Sequence, residues 1–222
     1  MSKFYIDTAN LQEIEDTISK GFVSGITTNP SLLAKEPATG FYPHIKKIIE
    51  ICKEYDNPSL SVEVFAKEPD KMLNQAMSIY DELEYSNLSI KIPIGYEELN
   101  VVSELAKRGI GVNVTCCFTE QQMLFGEMAG AKYVSLFYNR LKDFGGDPNQ
   151  VLQNVSQQFD KSFSTCKIIV GSIRKDYDVV NSWNNGGDIV TAGYNLFPTI
   201  LEHPMTDYSV EGFLRDFDEW IN

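Results

Sequence analysis

The chain has 222 residues, 43% hydrophobic and 12% aromatic, a composition that suits one well-buried globular domain over residues 1–222 and leaves no stretch reading as disordered. Its 31 acidic residues outweigh 19 lysines and arginines for a net charge of −12, which argues against a nucleic-acid or anionic-membrane partner and requires local cations to hold any anionic substrate. The opening MSKFYIDTAN turns polar at once and no apolar run approaches membrane-spanning length; with four cysteines lacking CxxC spacing, read as reduced core residues, a cytoplasmic protein is expected.

In chain order, strand-like and helix-like segments alternate. Phe4 to Ala9 reads as a strand and Asn10 to Lys20 as a helix with Leu11, Ile14 and Ile18 on one face. Gly25 to Asn29 is a second strand, after which Pro30 opens a short helix. Tyr42 to Tyr55 follows as a helix, Ser59 to Phe65 as a strand, Pro69 to Glu84 as a helix and Leu88 to Pro93 as the fourth strand. The pattern continues with a helix from Tyr96 to Arg108, a strand from Gly111 to Phe118, a helix from Thr119 to Ala129 and a strand from Tyr133 to Tyr138. Asp147 to Phe159 is helical, Lys167 to Ser172 the seventh strand, Asp176 to Asn184 a helix and Asp188 to Gly193 the eighth strand. Leu196 to Leu201 and a last helix near Val210 to Trp220 complete the chain. Eight such units in this length predict a compact (β/α)8 barrel with an additional C-terminal helix; a doubly wound open sheet is the alternative.

The strands carry a common pattern, polar groups on one parity and Val, Ile or Leu on the other. Asp7 shares a face with Tyr5, Glu63 lies between Val62 and Val64, Asn113 and Thr115 flank Val114, and Ser135 and Phe137 flank Leu136. In the run Asn87-Leu88-Ser89-Ile90-Lys91-Ile92-Pro93, the same period sends Lys91 to the face opposite Ile90 and Ile92. An edge-strand lysine that discourages aggregation is the bland account. In a parallel barrel, however, the outward face packs on helices while inward groups near the strands' carboxyl ends line a site. Separate ionisable groups buried without pairing cost several kcal/mol each, so convergence on a site is favoured over a polar plug.

An isolated lysine beside carboxylates narrows the chemistry. His44 and His203 are the only imidazoles and both fall outside the polar strand faces, so a His-ligated metal is not expected. Neither GxGxxG nor GxxxxGK[ST] occurs, and no cofactor is expected. Desolvation favours the neutral form of an amine, and a neutral lysine adds to a ketone to form a Schiff base that drains electrons from the neighbouring carbon–carbon bond. That is metal-free aldol chemistry.

The segments FYIDTAN, GITTNPSLL, SVEVFA, SIKIP, NVTCCF, YVSLFYNRLKDFGG and VGSIR, in this order from Phe4 to about Arg174, resemble the transaldolase family, above all its short members, which include fructose-6-phosphate aldolase. The resemblance weakens after Thr191. It implies that Lys91, on the fourth strand, forms the Schiff base and that Asp7 is the acid/base on the sugar hydroxyl. It further implies that Glu63 and Thr115 position a water for the carbinolamine steps, while Asn29, Asn113 and Ser135 hold hydroxyls of a dihydroxyacetone unit. Phe137, with Glu63, matches transaldolases, whereas the aldolases carry Tyr and Gln at these positions. The expected partners are small-molecule sugar phosphates and further copies of the chain, in pentamers or decamers.

Several of these residues also have ordinary readings. Asn29-Pro30 is what a helix start looks like, and capping and substrate contact are compatible there. Thr115 and Ser135 are residues that strands accept and that hydrogen-bond locally. Arg140 after the sixth strand, with Ser172 and Arg174 at the end of the seventh, would converge on the barrel rim where phosphate is commonly held; guanidinium grips phosphate oxygens through paired donors. Lone surface arginines are merely solvated, but the joint placement favours a phosphate role. The last helix presents Val210, Phe213, Leu214, Phe217, Trp220 and Ile221 at helical spacing, a stripe that needs a cover from its own barrel or from a neighbour. A catalytically silent barrel acting as an interaction protein is the reading from another class.

Overall fold

A computed structural model describes residues 2–222; Met1, at the head of the polar opening stretch, lies outside them. The first half comprises β1 (Lys3–Asp7), α1 (Leu11–Ser19), β2 (Val23–Thr27), α2 (Pro30–Leu33), α3 (Phe41–Glu54), β3 (Ser59–Glu63), α4 (Pro69–Leu83), β4 (Leu88–Pro93) and α5 (Glu98–Lys107). The second comprises β5 (Gly111–Cys117), α6 (Glu120–Met128), β6 (Tyr133–Phe137), α7 (Tyr138–Asp143), α8 (Pro148–Ser162), β7 (Lys167–Ile173), α9 (Asp176–Asn184), β8 (Ile189–Ala192), α10 (Leu196–Leu201) and α11 (Pro204–Ile221). Each strand pairs in parallel with the next, and β1 pairs with β8 as well as β2, so the sheet closes and the open doubly wound alternative falls. The fold is a (β/α)8 barrel with a C-terminal helix. No described helix is long and apolar enough to cross a membrane.

Local chemistry sets the element starts. Asn10 caps α1 by accepting from the Gln12 and Glu13 amides, and Asn29 caps α2 by accepting from Leu32, with Pro30 at the first helical position. Thr119 and Gln122 form a reciprocal capping box on α6. The helices lay their apolar stripes (Ile14 and Ile18 of α1, Ile45, Ile48 and Ile49 of α3, Val101 and Leu105 of α5) on the outward residues Ile26, Leu60, Val62, Ile90, Ile92 and Val114. This layer between helices and sheet is the main core. At about 25 cal/mol per Å2 of buried apolar surface, it is the largest favourable contribution to folding.

A second, smaller cluster fills the lower barrel interior: Tyr5, Tyr133, Ile169 and Ile189. Gly25 is required here, because a Cβ on it would sit 2.6 Å from the Tyr5 ring. Burial, with Tyr133 alongside, pushes the Tyr5 phenol well above its ordinary value and keeps it neutral.

The structure shifts several expected boundaries. The third strand ends at Glu63 and leaves Phe65 exposed, and α5 starts only at Glu98. Helix α7, with no counterpart in the sequence reading, begins directly off β6 without a side-chain cap. Helix α11 starts at Pro204 rather than Val210, capped by His203, whose Nδ1 accepts from the Met205 amide at 3.1 Å. All four cysteines are free, but Cys116 is only half-buried. At the end of β5 the register with β6 slips between Val114 and Cys117, and Cys116 takes φ +60°; this bulge turns it out of the core.

Candidate active site

The upper interior is set by strand register. Glu63, Lys91 and Asn113 are direct partners across β3, β4 and β5, so their side chains leave the same face about 4.8 Å apart. Lys91, 5% exposed, donates from Nζ to the Thr28 carbonyl at 2.7 Å and pairs with Glu63 Oε2 at 3.0 Å. Asp7 Oδ1 accepts from Thr27 Oγ1 at 2.8 Å, and that hydroxyl lies 2.7 Å from Thr191 Oγ1. Ser135 Oγ donates to Asn113 Oδ1 at 2.6 Å, while Asn113 Nδ2 donates to Ser61 Oγ at 3.2 Å. Thr115 Oγ1 is buried and has no protein partner. An orphaned buried hydroxyl is costly unless a water or ligand meets it.

A cavity of about 60 Å3 opens above these groups, lined among others by Asp7, Asn29, Lys91, Thr115, Ser135, Phe137, Arg140 and Ser172. Three expected site residues lie elsewhere. Glu63 stands beside Lys91, and Asn113 lies fully buried beneath Ser135. Arg174 is on the rim, half exposed, with Nη1 2.8 Å from Asp143 Oδ2. It lines a wider groove of about 690 Å3 that shares Asp7 with the inner cavity. Arg140 stacks its guanidinium 4.7 Å over the Phe137 ring, which meets Phe118 edge-on at 5.8 Å. Ser172 sits at a second bulge, where β7 slips against β8, with φ +59°. Such bulges re-aim side chains at strand ends.

Sequence reasoning passed over Thr27, Thr191 and Cys116. Inward parity was the available signal for Thr27 and Thr191, but their pairing needs the barrel closed across 164 residues. The Cys116 thiol is pushed up by burial and by the Glu63 carboxylate, with Lys91 acting against both, so it stands neutral beside the ion pair. His44 is buried on α3 with Nε2 2.7 Å from the Ala9 carbonyl, and His203 caps α11; neither faces the cavity. Among the described residues, no group of three or more His, Cys, Asp or Glu side chains is arranged to hold a metal ion.

Chemically, the cavity offers one buried amine backed by the Glu63 carboxylate, a second carboxylate (Asp7) in its wall, an unsatisfied hydroxyl and a guanidinium. Comparison with known proteins agrees in kind. Residues 4–220 match the family model described as transaldolase/fructose-6-phosphate aldolase. A probable transaldolase of Clostridium tetani is 40% identical over 216 residues, 97% of each chain. Probable transaldolases of Methanococcus maripaludis strain C7 and Geobacter metallireducens are 38% and 39% identical over 99% and 98% of each chain. Among solved structures, thiamine phosphate pyrophosphorylase from Pyrococcus furiosus superposes with TM-score 0.63 over 85% of this chain and 84% of its own, at 13% identity, a likeness of fold alone.

Proposed function

Because the chain belongs to the transaldolase/fructose-6-phosphate aldolase family, and is thus an enzyme of transaldolase or aldolase type, we propose that it transfers a three-carbon dihydroxyacetone unit between sugar phosphates through a Schiff base on Lys91. Sedoheptulose 7-phosphate or fructose 6-phosphate donates and glyceraldehyde 3-phosphate or erythrose 4-phosphate accepts, the exchange of the pentose phosphate pathway. The observation that carries this reading is the Lys91 amine, almost wholly buried yet open to the cavity beside Glu63.

In the proposed sequence, Lys91 Nζ gives a proton to Glu63, 3.0 Å away, and adds to the ketose carbonyl to give a carbinolamine. A water held between Glu63 and the unpaired Thr115 hydroxyl carries the proton that lets hydroxide leave as water. Asp7 then takes the proton of the hydroxyl on the far carbon of the bond to be cut, whose oxygen becomes the aldehyde of the leaving aldose. That bond breaks, its electron pair flows to the iminium, an aldose phosphate leaves and an enamine remains. Attack of the enamine on the acceptor aldehyde, with Asp7 returning its proton to the new alkoxide, remakes the bond, and water releases the product. Asn29 and Ser135 hold the hydroxyls of the transferred unit, with Asn113 behind Ser135. Arg140, Ser172 and Arg174 hold the phosphate, the local cations an acidic protein needs.

Borohydride reduction in the presence of fructose 6-phosphate, followed by peptide mass mapping, tests the reading. The three-carbon unit is expected on Lys91 and nowhere else; a label on another lysine, or none in active protein, sinks it. Fructose-6-phosphate aldolase activity is the second reading; Glu63 and Phe137 favour transfer. Phosphorylated substrates and four free cysteines support a cytoplasmic setting.

Assembly belongs to the same proposal. No residue of α11 is buried, and Phe213 and Trp220 are 71% and 79% exposed, so the barrel of the same chain does not cover the stripe. We assign it to neighbouring copies in a pentamer or decamer. A monomer by light scattering at micromolar concentration refutes this.

A further inference from the structure

Asp178 lies outside the cavity, yet it is a fully buried carboxylate. Such a group is costly unless both oxygens are met by strong donors. Both are met by one element: Asn139 Nδ2 donates to Oδ2 at 2.7 Å and Lys142 Nζ to Oδ1 at 2.9 Å, and both donors belong to α7. Arg140 lies between them in sequence. Burial opposes the charge on Lys142, but the hydrogen bond to Asp178 and the neighbouring Tyr138 outweigh it and raise the amine above the ordinary lysine value.

Helix α7 has six residues and no side-chain cap. A helix of that length does not hold its shape unaided, so its orientation rests on tethers such as this one and the Tyr138 hydroxyl, which donates to Asn149 at 2.7 Å. Asp178 itself sits in the first turn of α9, directly after the β7 end that carries Ser172 and Arg174. A second, exposed link runs in parallel, from Arg174 to Asp143 at the end of α7.

We propose that Asp178 is a positioning residue that fixes the spacing of Arg140 against Ser172 and Arg174, so that guanidinium and hydroxyl meet one phosphate together. The inference rests on the phosphate role given above to those three residues. Asp178 touches no substrate atom; it acts through Asn139 and Lys142.

The test titrates inorganic phosphate into the full-length protein by calorimetry and, in parallel, measures kinetics and borohydride trapping of unphosphorylated dihydroxyacetone. Misplacement of a binding group by an ångström costs up to about a hundredfold. Asp178→Ala is expected to weaken phosphate binding and raise KM for fructose 6-phosphate about tenfold or more, with kcat held within about threefold. Trapping of dihydroxyacetone on Lys91 is expected to stay at the wild-type level. Asp178→Asn, whose amide accepts from only one of the two donors, is expected to fall between wild type and Ala. Wild-type phosphate affinity in a natively folded Asp178→Ala overturns the inference, and so does a parallel loss of dihydroxyacetone trapping. If Asp178→Ala does not fold, Asp178→Asn and Asn139→Ala carry the test, since each removes one tether: severalfold weaker phosphate binding in each supports it, and wild-type affinity in both overturns it. Absence of trapping in the wild type defeats the Schiff-base reading instead, while the phosphate titrations still judge Asp178.

Discussion

The lower and upper halves of the barrel interior are built by the same strands two residues apart, and their chemistry is opposite. One step along a strand takes β1 from Tyr5 to Asp7, β6 from Tyr133 to Ser135, β7 from Ile169 to Gly171 and β8 from Ile189 to Thr191. Below, rings and branched chains close the bore, and the Tyr133 hydroxyl reaches Ser59 Oγ only at a long 3.4 Å. Above, small and charged groups leave a cavity of about 60 Å3. Bulk at one end supplies the packing that lets the other end stay polar and incompletely filled. In barrels of this kind the lower layers carry stability and the carboxyl ends carry chemistry.

Two substitutions pull these halves apart. Lys91→Arg is expected to lower turnover by about a thousandfold or more, ~4 kcal/mol in the barrier, because a guanidinium stays protonated and does not add to a ketone. The fold, by circular dichroism and thermal melting, is expected to survive. Retention of full activity in Lys91→Arg makes the lysine structural. Tyr5→Ala does the reverse: an aromatic removed from a closed interior costs about 3–5 kcal/mol. The denaturant midpoint should drop sharply while the folded fraction still traps dihydroxyacetone on Lys91. A variant that melts normally but fails to trap shows that the lower layer reaches into the chemistry, and the division between halves breaks down.

This division was legible because it follows from parity. Alternation alone put Lys91, Glu63, Asn113 and Thr115 on one face, and the register of Glu63, Lys91 and Asn113 made them neighbours. What parity does not carry is anything that depends on a third element. Helix α7 has too few residues for a periodic stripe, and its tethers to Asp178 and Asn149 come from α9 and α8. Cys116 read as core because its parity is outward; the bulge that reverses it is a property of the β5–β6 pair. Helix α11 starts six residues early because a histidine, rather than Ser, Thr, Asp or Asn, supplies its cap.

The upper half is itself graded between the two arginines, which differ in how committed each is. Arg140 lines the inner cavity and rests on Phe137, whereas Arg174 is half exposed and already engaged by Asp143. Arg140→Ala is expected to raise KM for phosphorylated donors by the loss of a charge-assisted contact, about 1.5–3 kcal/mol. Arg174→Ala should cost less, since an exposed guanidinium is screened and must first leave its carboxylate. Unphosphorylated dihydroxyacetone should be nearly indifferent to both. Equal losses for phosphorylated and unphosphorylated donors remove the pair from the phosphate site, and a larger loss at Arg174 moves the phosphate out to the rim groove.

The smallest expected effect concerns the ring under Arg140. Phe137 is held edge-on by Phe118 and capped by the guanidinium, and it borders the cavity without offering a donor or an acceptor. In the proposed mechanism the enamine left on Lys91 after cleavage would have two fates: attack on an acceptor aldehyde, or protonation and hydrolysis to free dihydroxyacetone. Hydrolysis needs an oriented water. A phenol at position 137 supplies a hydroxyl that both donates and accepts, and one such hydrogen bond is worth about 1 kcal/mol, roughly a fivefold change in partition. Phe137→Tyr is therefore expected to raise the release of dihydroxyacetone relative to transfer by a few fold, measured from fructose 6-phosphate with and without saturating erythrose 4-phosphate. The ring's contacts with Phe118 and Arg140 should persist, so KM for the donor should change little. An unchanged ratio separates water handling from this ring and returns it to Glu63 and Thr115 alone; equal rates of release and transfer in the unmodified protein make aldolase the better reading of the site.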